Sequence, residues 1–179
     1  MNNQVLTWLM FIAPWFTLFL MRKEDLKRFM PVALFTAILS AIISDMGYTF
    51  GLWTIGEKIY PFSYLSPHLF GPLLVITLWV FKFTYGRFWL YMITNTILDI
   101  GFNFLFLGYF LPARGILFMN VHPIRTLPIT LIHAAIAYGY QMWQAEIFAG
   151  QTERKRFSFG LQPAATKPLA KDQKDEEQE

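Results

Sequence analysis

The sequence predicts an all-α protein, a polytopic integral membrane helix bundle of about five transmembrane helices carrying a polar C-terminal tail. Three observations predict it. The 179 residues are 55% hydrophobic and 18% aromatic but only 15% charged, so a water-soluble fold would leave large apolar patches exposed. Several uninterrupted apolar runs approach or reach the ~20 residues that cross a hydrocarbon core about 30 Å thick. Finally, the 15 Lys and Arg residues gather at the ends of those runs, as a membrane-spanning chain requires.

Each span follows from the run that contains it. The first covers about 5–21 and is followed, not preceded, by the basic cluster at Arg22, Lys23, Lys27 and Arg28. A cleavable leader has the opposite order, so this run reads as a retained anchor. The second span is about 30–53 and the fourth about 88–110. The third, about 68–83, is the shortest. It needs Lys82 to reach back to the interface along its own aliphatic stem, or the Pro-bearing segment 61–67 to enter the headgroup region. The fifth span is about 126–148, and the segment 111–125 before it is either a loop or re-entrant. Residues 1–150 thus form the membrane domain. The tail, 151–179, contains Pro163 and Pro168, ends in a mixed charge run and has no apolar face, so it is expected to be a disordered cytoplasmic segment.

Charge placement sets the expected orientation. One side of this topology collects Arg22, Lys23, Lys27, Arg28, Lys82, Arg87, Arg154, Lys155, Arg156, Lys167, Lys171 and Lys174, and the other collects Lys58, Arg114 and Arg125. Twelve against three places the N-terminus outside and the tail inside, which requires an odd number of crossings. The net charge of +3 is accounted for by these flanks, so no nucleic-acid partner is expected. With no cysteine, a disulfide framework, a thiolate metal site and a cysteine nucleophile are excluded.

Two spans share a short pattern, Asp45-Met46-Gly47-Tyr48-Thr49-Phe50 and Asp99-Ile100-Gly101-Phe102-Asn103-Phe104. Ala13-Pro14 and Gly71-Pro72 occupy corresponding places in the preceding spans. Spans one and two therefore suggest a parallel repeat of spans three and four, which would set Asp45 opposite Asp99. An intramembrane carboxylate costs about 2.5–3.5 kcal/mol at a helix centre and must face protein or water. Asn95, Asp99 and Asn103 are spaced i, i+4, i+8 and share one helix face. His133, about two turns into span five, lies at a similar depth. Asp45, Asn95, Asp99, Asn103 and His133 form the expected polar intramembrane cluster. Its ordinary reading is interhelical hydrogen bonding that fixes packing; its functional reading is handling of protons or cations.

Small residues mark expected helix contacts: Ser40, Ser44, Gly47 and Gly51 on span two, and Ala135 with Gly139 on span five. Arg114, His122 and Arg125 in the outer loop are candidates for an anion contact, and the segment from Tyr60 to His68 reads as a re-entry turn. No phosphate-binding loop, zinc-protease pair, nucleophile elbow or dinucleotide fingerprint occurs. The Gly-x-Gly-Asp order of intramembrane aspartyl proteases is also missing. No cofactor and no metal are expected, and the bilayer is the expected partner, with a membrane-protein partner or a homo-oligomer as the alternative use of the small faces.

With Asp45 leading into Tyr48-Thr49-Phe50-Gly51-Leu52-Trp53 and a Pro-rich segment before span three, the chain resembles the small uncharacterised multispan membrane proteins of Bacillus-type bacteria. The resemblance implies a bacterial plasma membrane and carries over no activity and no site residue. Three functional expectations remain open. The first is binding or transport of a small solute, proton or cation through the polar pocket. The others are a non-catalytic scaffold or envelope-complex subunit, and an intramembrane lipid or isoprenoid enzyme using Asp45 and Asp99 as paired carboxylates.

Overall fold

The computed structural model describes residues 3–58, 60–61 and 67–160, with residues 149–160 as backbone only. It is mostly helical, with five helices among the described residues. In order these are α1 (Asn3–Leu20), α2 (Lys23–Thr49), α3 (Leu69–Thr84), α4 (Phe88–Ala113) and α5 (Leu127–Gly160). Between them lie two strands, β1 (Trp53–Ile55) and β2 (Leu117–Met119). The chain divides into two compact units, Met1–Met142 and Trp143–Glu179. The second unit is, among its described residues, the continuation of α5 to Gly160.

Helices α1, α2 and α4 are long and apolar enough to cross a membrane. Helix α3 has 16 residues, about 24 Å of rise. Helix α2 starts earlier than the apolar pattern suggests, at Lys23, because Glu24 and Asp25 occupy its first turn, where the helix dipole favours acidic side chains. It stops at Thr49 because the chain reverses at Gly51, whose φ of 69° an L side chain rarely adopts. At the far end, α5 runs ten residues past the expected start of the tail, through Glu153, Arg154, Lys155 and Arg156, all good helix formers. The remainder of the expected tail, 161–179, lies outside the described residues.

The strands are the main departure from an all-α expectation. They pair antiparallel with Trp53 opposite Met119, Thr54 opposite Phe118 and Ile55 opposite Leu117. This resolves 111–125 into a turn, a strand and a short 3-10 turn at Pro123–Arg125. The element order is helix, helix, strand, and again helix, helix, strand, with the two strands as each other's partners.

A common core joins the first unit. Val32, Ala33 and Ala37 of α2 meet Leu74, Leu78 and Phe81 of α3, with Tyr91 of α4 and Ala134, Ala137 and Tyr138 of α5 closing it. At one end the core is aromatic: Phe29 stacks on Phe81 at 5.9 Å, and the Arg28 guanidinium sits 4.7 Å from the Tyr85 ring centre. Gly71 lets α3 lie directly on α1, since a Cβ there would overlap the Met10 carbonyl. Trp15 Nε1 donates to Phe70 O at 3.1 Å and locks the same crossing.

At the other end Asn3 Nδ2 donates to Glu57 Oε2 at 2.6 Å and to Arg114 O at 2.8 Å, while Gln4 Nε2 donates to Glu57 Oε1 at 3.0 Å. The start of α1, the loop after β1 and the turn before β2 therefore share one end of the unit.

Candidate functional site

Below that end, the first unit forms a partly open cavity of about 120 Å3. Four helices and the strand pair build it. Helix α2 contributes Ser40, Ile43 and Ser44; the start of α3 contributes Leu69 and Leu73, with His68 just ahead of it. Helix α4 supplies Asp99, Phe102, Asn103 and Leu107, and α5 supplies Ile129, Thr130 and His133, preceded by Thr126. Trp53 of β1 with Leu117 and Met119 of β2 completes the wall.

Asp99 is positioned first by its own helix. Asn95, one turn earlier, donates Nδ2–H to Asp99 Oδ2 at 3.0 Å, and Asn103, one turn later, donates Nδ2–H to Asp99 O at 2.8 Å. The second bond has a local cause. From Phe102 to Phe110 the helix widens into a π segment, which shifts the backbone ladder from i+4 to i+5. The Asn103 amide supplies a donor to the carbonyl at that transition. Its Oδ1 accepts from Thr126 Oγ1 at 2.7 Å, tying α4 to the entrance of α5. The Thr126 hydroxyl has a single proton, and Pro123 O, 2.6 Å away, is its alternative acceptor. Thr130 of α5 approaches the Asp99 carboxyl group from across the cavity.

No Lys or Arg lines the cavity, and among the described residues the ion pair is Arg22 with Asp25, far along the sequence from Asp99. Hydrogen bonds from neutral donors to a charged acceptor contribute about 1.5–3 kcal/mol each. The Asn95 bond therefore offsets a large part of an insertion cost of about 2.5–3.5 kcal/mol, and the Thr130 hydroxyl, whose proton also has Leu127 O as an acceptor at 3.0 Å, stands by. The protein therefore holds the acidic group without a cation of its own.

The His133 ring nitrogen Nε2 lies 3.2 Å from both Thr36 O and Ser40 Oγ. A carbonyl only accepts, so this geometry selects the Nε2–H tautomer, and in the neutral ring Nδ1 keeps its lone pair. The second histidine, His68, is 5% exposed and packs its ring 6.1 Å from Phe102 and 6.4 Å from Phe106. No group of three His, Cys, Asp or Glu residues among the described residues is arranged to hold a metal ion.

Of the five residues expected to cluster, Asn95, Asp99 and Asn103 are linked by hydrogen bonds, and Asp99, Asn103 and His133 line the cavity. Asp45 does not join them. It is exposed on α2, and its backbone carbonyl accepts from Thr49 Oγ1 at 3.1 Å. The reason is angular: Ser40 and Ser44, four residues apart, share the cavity-facing side of α2, and Asp45 is rotated about 100° from Ser44.

The small residues also divide. Ser40 and Ser44 line the cavity, and Gly47 is buried beneath Trp53, whose Nε1–H donates to Ser44 O at 3.0 Å. Gly51 serves the chain reversal, while Ala135 and Gly139 are exposed and a Cβ on Gly139 would meet nothing. The packing side of α5 is instead Ala134, Ala137, Tyr138 and Gln141. Arg114, His122 and Arg125 are exposed, the last two in one turn, where Arg125 N donates to His122 O at 2.9 Å. Arg114 lies 5.7 Å from the Phe110 ring centre, and His122 is against Phe104, its Nδ1 accepting from Ile124 N at 3.4 Å.

His68, Trp53, Thr126 and Thr130 are site residues that the expected cluster omitted. Thr126, Thr130 and His133 are spaced i, i+4, i+7, a polar helix face that their spacing could have revealed. His68 and Trp53 carry no such signal, because only the packing of the strand pair and α3 brings them to α4. No family model matches the chain, and no curated protein or solved structure does so either.

Proposed function

We propose that the chain is a five-span protein of a bacterial plasma membrane, with its N-terminus outside and its tail in the cytoplasm, that binds or moves a small solute, proton or cation through this cavity. The observation that carries the reading is Asp99: a carboxyl group on the cavity wall, held by Asn95 and approached by Thr130, with no basic residue beside it. A structural acid has no need of open volume, whereas a binding site needs both the volume and a few convergent polar groups. The twelve-to-three distribution of Lys and Arg supports the orientation, as does the sharing of one end by Asn3, Glu57 and Arg114.

A scaffold role is the second reading, favoured by the exposed small surface at Ala135 and Gly139 on α5. The paired-carboxylate enzyme is less well supported, since Asp45 does not line the cavity with Asp99.

Complementation of a deletion strain tests the reading, combined with a thermal melt of each purified protein. Asp99→Asn keeps the shape and hydrogen bonding but removes the charge. Asp99→Asn protein is expected to stay folded, with a melting point equal to or above the parent's, and to lose the phenotype. Folded Asp99→Asn protein with full complementation would remove the transport reading and leave the scaffold.

A further inference from the structure

The chemistry of the cavity wall narrows the ligand. Charged donors are absent, so a carboxylate or phosphate ligand would bring a second negative charge beside Asp99 with nothing to neutralise it. The side-chain amide of Asn103 is already committed, its nitrogen to Asp99 O and its oxygen to Thr126. His133 spends its proton on α2 and retains an acceptor. His68, Ser40 and Ser44 can donate or accept, so the Asp99 carboxylate is the group on the wall that sets a charge preference, and it favours a positively charged ligand that brings its own donors.

The rest of the wall restricts it further. An inorganic divalent ion takes six or more oxygen ligands, and the site offers one carboxylate among Trp53, Phe102, Leu73 and Ile129. Such apolar and aromatic surface suits a hydrocarbon body, and aromatic rings also tolerate an ammonium group. Size sets the upper limit. An apolar cavity of about 150 Å3 takes one benzene, with its six heavy atoms, so the 120 Å3 here accommodates a single molecule of about four to six heavy atoms.

We infer that the cavity binds a protonated primary monoamine with a compact apolar body, its ammonium group on Asp99 and its hydrocarbon part against Trp53, Phe102 and Ile129. This rests on the binding reading above and assigns its substrate class. The ammonium group has three protons for the Asp99 oxygens and for hydroxyl oxygens of the same wall, such as those of Ser40 and Ser44.

The test uses the purified full-length protein in detergent and follows melting against concentration for matched probes at constant ionic strength. Isobutylamine and propylamine at pH 7 are compared with isobutanol and propanol, with isovalerate and butyrate, and with sodium and potassium chloride. The amines are expected to raise the melting point saturably, while their alcohols and acids leave it unchanged. Asp99→Asn should weaken the amine response at least tenfold. Should that variant not fold, Ile129→Phe, which narrows the cavity with the carboxylate intact, must lose the response too. Equal shifts with amines and alcohols would overturn the assignment and leave a neutral-solute pocket. A response to sodium, potassium or pH with none to the amines would overturn it and leave an ion or proton site. No response to any probe, together with a fully functional Asp99→Asn protein, would overturn both this inference and the reading on which it rests.

Discussion

Asp99 is held within its own helix, by Asn95 a turn before it and Asn103 a turn after, at the spacing that makes residues of one helix neighbours. Trp53 is the opposite case. Its indole covers Gly47 and reaches Ser44 O only because the chain reverses after α2. A Cβ on Gly47 would overlap the indole ring, and the ring is fixed by its hydrogen bond. Gly47→Ala should therefore lower stability by about 1–3 kcal/mol, the usual cost of overpacking. Trp53→Ala removes the obstacle, so Gly47→Ala should cost almost nothing in that background. Thermal melts of the two single variants and the double variant measure this coupling. Additive losses would show that Gly47 is needed for something other than the seat of Trp53.

Among the elements, the crossing of α1 and α3 depends on one close backbone approach. At Gly71 the obstacle to a side chain is a main-chain carbonyl, Met10 O, which cannot swing aside as a flexible side chain does. Gly71→Ala should force the helices apart, break the bond between Trp15 and Phe70 O, and destabilise the protein more than Gly101→Ala, where a Cβ meets nothing. Comparing the two melting points, with Trp15 fluorescence read in a background where the other tryptophans are replaced by Phe, checks this expectation. Equal melting points would mean that α1 is not clamped at Gly71. The π segment of α4 belongs to the same scale. It lies at the cavity, bounded by Phe102 and Phe110, and nothing in the local residue pattern announces it.

For the whole molecule, the prediction concerns sidedness. The chain has no cysteine, so each introduced cysteine is a unique reporter. Cysteines at Lys58 and Arg114 should react with a membrane-impermeant thiol reagent on intact cells, and one at Arg87 should react only after permeabilisation. Labelling at Arg87 with protection at Lys58 would invert the orientation. Labelling of all three on intact cells would exclude a single sealed topology.

Composition and apolar run length determined the helical class and most helix positions, because a long apolar run in a charge-poor chain has few alternatives to a helix whose backbone bonds itself. Spacing within one helix determined the Asn95, Asp99 and Asn103 face, since residues one turn apart are neighbours however the helix packs. Rotation between helices was beyond that reach. The shared motif aligned Asp45 with Asp99, but burial depends on which side of α2 turns inward, and packing turned Ser40 and Ser44 inward instead. The same holds for Ala135 and Gly139, which carry a contact pattern yet are exposed while Ala134 and Ala137 face the core. Two three-residue strands separated by 61 residues have too few local signals to be recognised, and their pairing arises only when α2 and α4 end side by side. The tertiary structure alone therefore decided the strand pair, the entry of His68 and Trp53 into the wall, and the cavity that gives Asp99 something to face.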